Sequence, residues 1–263
     1  MIRWELLDTA AVPGDTASLR LLRRDREFSI RLGTAELMNS RLSGSEEALA
    51  TLAIARLAGR PAPRILIGGL GMGFTLRAAL SVLPAGATVV VAELVPAVVA
   101  WARGPMAELF AGSLDDPRVR VHVGDVGALM RAEPGRWDAV LLDVDNGPEA
   151  MTHAANDGLY GHVGLGTARA ALRGGGVLAV WSAHPDPGFA RRLGDSGLAV
   201  EEVRVHANGR GKGARHVIWL GLRGPDAASA ARKPARARNS GPDGPASRRT
   251  GGRPPAGPGE DRR

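Results

Sequence analysis

The sequence predicts an α/β protein whose centre is a doubly wound, mostly parallel, seven-stranded sheet of the Rossmann-like type. The apolar run that begins at Arg64 stops at the glycine-rich segment 68–73, and a helical pattern starts at Phe74. From there apolar runs alternate with helical segments, which indicates repeated βα units with right-handed crossovers. The first five apolar runs show little polar alternation, as in a parallel sheet that is covered on both faces.

The N-terminal part, residues 1–44, predicts a short β region with a small β-hairpin extension. Residues 19–24 and 27–32 are two short alternating runs around a turn, and residues 34–38 could add a third strand. Ser43 and Glu46 have the spacing of a capping box ahead of a helical segment that should stop at Gly59.

The main domain is predicted to span residues 45–222. We expect strands at 64–67, 88–92, 118–123, 137–142, 176–181, 200–205 and 216–222. We expect helices near 74–83, 96–110, 126–131, 165–172 and 189–193. The last two strands are joined by a glycine-rich segment without a helical pattern, so they should form an antiparallel hairpin that closes the sheet.

The C-terminal segment, residues 223–263, is predicted to be a disordered tail rich in Arg, Pro and Gly. Residues 224–263 hold nine basic and four acidic residues, and so carry +5 of the formal net charge of +7. The rest of the chain is nearly neutral. A tail without large apolar residues is typical of a solvated extension, so nucleic acid is not expected as the main partner, although weak nonspecific contact through the tail stays open.

The composition also limits the possible chemistry. The chain has no cysteine and six scattered histidines without a paired ligand motif, so neither a thiolate nucleophile nor a metal site is expected. The first residues do not have the apolar core of a signal peptide, and no apolar run approaches the length of a membrane span. We therefore expect a cytoplasmic protein without a membrane partner.

Glycines follow the first strand of the predicted sheet with the spacing Gly69-x-Gly71-x-Gly73. Such a strand, turn and helix N-terminus brings backbone amides close to a nucleotide-like ligand. A dinucleotide-binding fingerprint would need glycine at Phe74. The shorter spacing favours a nucleoside ligand, although glycine-rich strand ends also occur as plain tight turns.

Carboxylates follow the next three strands, and ligands of open α/β sheets bind beyond these strand ends. Glu93 could accept hydrogen bonds from both ribose hydroxyls, and Asp125 could accept one from the adenine amino group. Asp143, with Asp145 nearby, would face the reacting end of the ligand and act in acid–base chemistry. The structural alternatives are an N-cap role for Asp125 and a turn role for the Asp143 segment.

This chain resembles the spermidine synthase-like (polyamine aminopropyltransferase) family, which has the class I S-adenosylmethionine-dependent methyltransferase fold. The resemblance implies that Gly68, Gly69, Gly73, Glu93 and the Gly124-Asp125 pair bind the nucleoside. The matching stretches, between residues 27 and 222, are Gly68-Gly69-x-x-x-Gly73, Val91-Ala-Glu93, Gly124-Asp125, Trp137-Asp-Ala-Val-Leu-Leu-Asp143, Leu159-Tyr160 and Leu172-Arg-Gly-Gly-Gly-Val177.

The resemblance further implies that Asp143 is the base on the attacking amine. Asp145, Asn146, Tyr160 and Glu46 are expected at the catalytic and acceptor side. It implies S-adenosylmethionine or its decarboxylated form as co-substrate, no metal, a small amine as acceptor, and a homodimer formed through the N-terminal strands.

The chain departs from the family pattern at three places. Gly71 stands where the family has the aspartate that binds the donor's aminopropyl amine, and Asn146 replaces the second acid of the fourth-strand motif. The acidic acceptor stretch is replaced by residues 39–47, where Glu46 and Glu47 are the acids that could substitute, together with Asp145. Ordinary methyltransferases favour an acid at the position of Ile67.

The leading functional prediction is a transferase that moves an alkyl group, by family likeness an aminopropyl group, from a sulfonium nucleoside to a small amine, as in polyamine biosynthesis. One alternative is methyl transfer from S-adenosylmethionine to a small molecule, which the loss of the loop aspartate favours. The other is a homologue that binds the nucleoside without turnover. His184, just past the fifth strand, could also face the acceptor.

Overall fold

The computed structural model describes residues 2–14, 16–57, 59–144, 158–209, 211 and 213–226. Its strands are β1 (Glu5–Ala11), β2 (Ser18–Arg24), β3 (Glu27–Leu32), β4 (Ala35–Asn39), β5 (Arg64–Gly68), β6 (Thr88–Glu93), β7 (Val119–Val123), β8 (Trp137–Leu142), β9 (Leu172–Ser182), β10 (Ala199–His206) and β11 (Arg215–Leu222). Its helices are α1 (Gly44–Ala55), α2 (Phe74–Val82), α3 (Pro96–Arg103), α4 (Ala107–Phe110), α5 (Val126–Ala132), α6 (His162–Ala171) and α7 (Pro187–Asp195), with a 3₁₀ turn at Ser113–Asp115.

The large sheet has the strand order β10-β11-β9-β8-β5-β6-β7. The five strands β5 to β9 are parallel to one another, and β11 pairs antiparallel with both β9 and β10. The predicted fold class is therefore confirmed, including the terminal hairpin that closes the sheet.

Both faces of the large sheet are covered, which explains the nearly continuous apolar strands. All six residues of β8 are buried. Along β5, Ile65 and Ile67 pack into the core under α1, α2 and α3, while Leu66 faces a second core that includes residues of α5, α6 and α7. Successive side chains of a strand point to opposite faces of the sheet, so the side chains of β5 pack alternately against the two apolar cores.

The N-terminal extension is a four-stranded antiparallel sheet, β1-β2-β3-β4, and is larger than the predicted hairpin. The turn between β2 and β3 lies at Asp25, which has a φ of 56°. Strand β1 was missed because its sequence shows no apolar alternation and its pairing with β2 is irregular between Leu6 and Asp8.

Two predicted helix features differ in the structure. The helix expected over residues 96–110 is divided into α3 and α4, because it ends at Gly104 and the following Pro105 has no N–H to donate. Helix α1 begins after Ser43, but the Ser43 side chain makes no capping hydrogen bond. Glu46 Oε2 instead accepts a hydrogen bond from Ser45 Oγ at 2.6 Å.

The N-terminal ends of the sheet strands are joined by the buried carboxylate of Asp138. This side chain is 1% exposed, pairs with Arg60 and Arg173, and accepts a hydrogen bond from the backbone N–H of Arg64 at 2.7 Å. It therefore links the starts of β5, β8 and β9.

We expect the substitution Asp138→Ala to lower the free energy of unfolding by about 2–3 kcal/mol, because charged hydrogen bonds are lost and a buried backbone N–H loses its acceptor. Asp115→Ala is a matched control, since Asp115 is 81% exposed in its pair with Arg103; it should change stability by less than about 0.5 kcal/mol. Urea unfolding of the three proteins measures both effects, and equal stabilities for the two variants would contradict the structural role of Asp138.

Candidate active site

The carboxyl ends of β5, β6, β7 and β8 lie side by side. Gly68 at the end of β5 is paired with Ala92 on one side and with Leu142 on the other, and Glu93 is paired with Val123. The residues that follow these strands are therefore brought to one edge of the sheet, as the sequence predicted.

The glycine loop between β5 and α2 has a conformation that favours glycine. Gly69, Gly71 and Gly73 have φ values of 90°, 50° and 77°. A Cβ atom on Gly69 would lie 2.2 Å from the backbone oxygen of Asp143, and one on Gly73 would lie 2.4 Å from the Phe110 ring. The loop thus needs glycine both for its backbone angles and for its close contacts.

The carboxylate of Glu93 is buried behind this loop. Its Oε2 accepts a hydrogen bond from the N–H of Leu70 at 2.9 Å, and its Oε1 accepts one from the N–H of Val95 at 2.8 Å. Glu93 therefore fixes the loop to the segment that leads into α3. Glu93 also lines the cavity, so its carboxylate lies both at the loop and at the cavity wall.

Asp125 is the N-cap of α5. Its carboxylate accepts hydrogen bonds from the N–H groups of Gly127 and Ala128 at 2.8 and 3.0 Å, and Arg131 lies 3.3 Å away. The preceding Gly124 donates its N–H to the backbone oxygen of Glu93 at 2.8 Å. The N-cap alternative weighed for Asp125 is thus realised, while its side chain remains about half exposed beside the cavity.

Asp143 follows β8 and lies against the glycine loop. Its N–H donates to the backbone oxygen of Gly68 at 2.9 Å, and its Oδ2 accepts a hydrogen bond from the hydroxyl of Thr75 on α2. Burial raises the pKa of Asp143 to about 6, and the Thr75 hydrogen bond opposes part of that rise.

Glu46 on α1 is the second carboxylate of this region. Burial and then the charge of Asp143 raise the pKa of Glu46 to about 7. The Thr75 hydroxyl, which contacts Asp143, also lies 3.3 Å from the backbone oxygen of Glu46. A base that titrates near neutral pH is well suited to proton transfer.

These elements border a single cavity of about 380 Å³. The large sheet contributes the polar wall, with Gly69, Gly71, Glu93, Asp125 and Asp143. The N-terminal region contributes part of the apolar lining, namely Val12, Leu19, Ile30, Leu32, Leu37 and Met38. Further apolar residues, among them Leu94, Val98 and Leu159, come from the main domain.

Two other predicted site residues, Tyr160 and Glu46, do not line the cavity. Tyr160 is buried and packs edge-on against Phe189 at 5.8 Å, and its neighbour Leu159 lines the cavity instead. Asp145 and Asn146, like the tail 227–263, are outside the described residues, so their roles stay predictions.

Sequence reasoning missed three polar residues in the region of Asp143 and Glu46. Thr75, Ser45 and His216 are hydrogen-bonded to the two acids or to each other, but no sequence motif marks them. Ser45 and His216 are separated by 171 residues in the chain, so only the packing of α1 against β11 could reveal their contact.

Within the described ranges, no group of three or more His, Asp or Glu side chains is arranged to hold a metal ion. No helix of the described chain has both the length and the apolar content that a membrane crossing requires.

Comparisons with known proteins agree with this geometry. No protein-family model matches the chain. The polyamine aminopropyltransferase of Mycobacterium tuberculosis (strain CDC 1551 / Oshkosh) is 33% identical over 151 residues, which are 54% of this chain and 28% of that protein. The chain thus matches only about a quarter of this relative. The predicted resemblance to polyamine aminopropyltransferases is confirmed.

Solved structures support the same fold. A spermidine synthase in complex with the transition-state analogue AdoDATO has a TM-score of 0.66 at 18% identity, over 84% of this chain and 73% of its own. The spermidine synthase from Thermotoga maritima has a TM-score of 0.67 at 17% identity, over 84% and 74%. At these identities the similarity shows the fold alone.

We expect Gly69→Ala to abolish or strongly weaken the binding of a nucleoside donor, because the new Cβ would displace Asp143 and the loop. Gly166→Ala in α6 is the control, since nothing lies within 4 Å of its added Cβ. Calorimetric titration with S-adenosylmethionine and with its decarboxylated form measures the effect. Unchanged donor affinity in Gly69→Ala would contradict the assignment of this loop to donor binding.

Asp143→Asn should make the ligand-free protein more stable at pH 8 than the unsubstituted protein. The folded state raises the pKa of Asp143 from 3.8 to about 6, so its stabilising contribution is present below pH 4 and is lost as the pH rises through 6. The difference should be on the order of 1–3 kcal/mol at pH 8 and should vanish near pH 4. Thermal unfolding across this range measures it, and a difference independent of pH would contradict the shifted ionisation.

Proposed function

We propose that this protein is a transferase that binds an S-adenosylmethionine-type nucleoside and transfers an aminopropyl group to a small amine. The observation that carries the proposal is the shared cavity, in which the glycine loop and the three strand-end carboxylates meet. In this proposal the donor is decarboxylated S-adenosylmethionine, and no metal takes part.

The donor would lie across the strand ends, with its adenosine on the side of Glu93 and Asp125. The amides of the glycine loop would approach the sugar, and the carboxylate of Glu93 would accept hydrogen bonds from the ribose hydroxyls. The half-exposed carboxylate of Asp125 would accept from the adenine amino group. Gly68 and Gly73 would act by shaping the loop, and Gly69, Gly71 and Gly124 by allowing the ligand to come close.

The reaction would be an in-line displacement at carbon. The lone pair of the acceptor nitrogen forms the new C–N bond while the C–S bond breaks, and the bonding electrons return to sulfur to give a neutral thioether. Because an ammonium group has no lone pair, the acceptor must lose a proton, which Asp143 would take. Asp145 and Asn146 would act on the acceptor side, with Asp145 as a second acid.

Methyl transfer is a second candidate, and one contact favours it. A Cβ atom on Gly71 would lie 3.2 Å from Sδ of Met38, so the position where the family has a loop aspartate faces an apolar thioether. An aminopropyl ammonium without an anionic partner is costly to bury. The acceptor would then be a small molecule methylated by S-adenosylmethionine itself.

Two further features belong to the proposal: the protein would act in the cytoplasm, and it would form a homodimer through the strands of its N-terminal sheet. The homodimer follows from the resemblance. Analytical ultracentrifugation of the full chain would test the dimer.

The deciding experiment incubates the protein with each donor and a panel of small amines and identifies products by mass spectrometry. Aminopropylated amine from the decarboxylated donor supports the main proposal, and methylated product from S-adenosylmethionine supports the second candidate. Donor binding is checked separately by thermal shift, where a ligand at about 100 times its dissociation constant adds about 2.7 kcal/mol. Binding of a donor without any product would indicate a nucleoside-binding protein that lacks turnover.

Asp143→Asn should lower the rate of product formation about 10²- to 10⁴-fold, which is the usual contribution of a positioned general base. Donor affinity should change little, because the carboxamide oxygen can still accept the hydrogen bond from Thr75. Asp195→Asn, an exposed acid in α7, is the control and should keep full activity. A fully active Asp143→Asn enzyme would rule out Asp143 as the base.

A further inference from the structure

The part of the cavity lining that comes from the N-terminal region is apolar throughout. Each described residue between positions 12 and 38 that lines the cavity is a glycine, a proline, an aliphatic residue or Met38. We call these residues the N-terminal lining. Leu32, Leu37 and Met38 are only partly buried, so their side chains are open to a molecule in the cavity.

A β-bulge in β4 turns two successive side chains toward the cavity. Met38 is paired with Ile30 on β3. The next pair joins Glu36 to Arg31 and leaves Leu37 between the two pairs as an extra residue. In a regular strand one of two neighbouring side chains would face away, but the extra residue of a bulge breaks this alternation. Leu37 and Met38 therefore both line the cavity.

The acid of this strand, Glu36, is bound to its own neighbours. Its Oε2 accepts a hydrogen bond from Ser29 Oγ at 2.7 Å, and its Oε1 accepts one from the side chain of Asn39 at 2.9 Å. The guanidinium groups of Arg31 and Arg41 lie 3.8 and 3.5 Å from the same carboxylate. Glu36 does not line the cavity, so its charge offers no partner to a cation held there.

The acids that do line the cavity follow strands of the large sheet. In the proposed function two of them bind the nucleoside, and the third, Asp143, takes the proton of the amine. The glycine loop connects the two sides of the cavity. A Cβ on Gly69 would meet the backbone of Asp143, and a Cβ on Gly71 would meet Met38. An acceptor whose nitrogen reaches Asp143 thus has the N-terminal lining beside the rest of its body.

We propose that the acceptor is a monoamine with an apolar body, such as an alkylamine, and not a diamine. An ammonium group at its far end would lose water against Leu32, Leu37 and Met38 without gaining an anionic partner from them, which is costly. A methyl group in the same place is stabilised by leaving water. The bonds are those of the proposed function, on which this inference rests: the C–N bond forms, the C–S bond breaks, and Asp143 takes the proton.

The first test compares two amines of the same length. Pentylamine has a methyl group where 1,4-diaminobutane has its second amino group. With the donor that gives product, kcat/KM should be at least about 100-fold higher for pentylamine, because burial of an unpaired ammonium is unfavourable. Equal values, or a preference for the diamine, overturn the inference.

A carboxylate placed in the N-terminal lining should change this preference. In Leu37→Glu the ratio of kcat/KM for pentylamine to that for the diamine should fall at least about tenfold, because the second ammonium gains an anionic partner. Ala35→Glu is the matched control, since it adds the same charge to β4 at an exposed position that does not line the cavity. A ratio that is unchanged in Leu37→Glu, or that changes equally in both variants, contradicts the inference.

The ratio also separates recognition from damage to the fold. A general loss of activity lowers kcat/KM for both amines and leaves their ratio unchanged, and circular dichroism checks that both variants are folded. If Leu37→Glu does not fold, the comparison of the two amines on the unsubstituted protein decides.

A binding measurement distinguishes this inference from the proposed function. The full chain is saturated with 5′-methylthioadenosine, the neutral thioether that an aminopropyl donor leaves behind, and each amine is titrated by calorimetry. Tighter binding of pentylamine than of 1,4-diaminobutane supports the inference, and if no donor then gives product, it is the proposed function that fails. Product formation with a preference for the diamine leaves the proposed function standing and overturns the inference. Absence of binding by both amines, together with absence of product, also overturns it.

Discussion

The close contact between the ends of β5 and β8 is the constraint on which the site depends. The backbone of Gly69 lies against the backbone oxygen of Asp143, and the N–H of Asp143 donates to the oxygen of Gly68. No side chain fits between them. The loop that would receive the nucleoside and the carboxylate that would receive the proton are therefore held at a fixed separation by main-chain atoms alone.

The strand-end carboxylates also serve the fold. Glu93 ties the glycine loop to the start of α3, and Asp125 caps α5. Residues that orient a ligand are more effective when their own rotamers are fixed, because less conformational entropy is lost on binding. In these two cases a structural role and a predicted ligand-binding role fall on the same carboxylate, and both carboxylates line the cavity.

Much of this arrangement could be predicted from the sequence because parallel strands place their following residues at one edge. Apolar runs that end at Gly68, Glu93 and Leu142 fixed three strand ends to within one residue. Local sequence patterns were less informative where tertiary contacts decide the pairing of a strand or the partner of a side chain. Strand β1 has no alternation, and the spacing of Ser43 and Glu46 suggested a cap, whereas packing directs Glu46 to Ser45.

The contact between Ser45 and His216 could not be predicted at all, because it joins α1 to a strand 171 residues later. The same holds for the contact between Thr75 and Asp143. No pattern in the sequence distinguishes the hydroxyl of Thr75 from other hydroxyls on helices, and only the fold brings Asp143 next to it. Single-sequence patterns describe which face of an element is apolar. They carry no information about which polar side chains from distant elements will meet.

The division of the cavity between two sheets has a consequence for how such a protein can change. The carboxylates follow strands of the large sheet, whereas Leu32, Leu37 and Met38 of the lining belong to short strands near the chain's start. Replacing one of these three residues would reshape that side of the cavity and leave the acids untouched. The N-terminal part of the lining can thus be redesigned, or can diverge, without any change in the stretches that carry the acids.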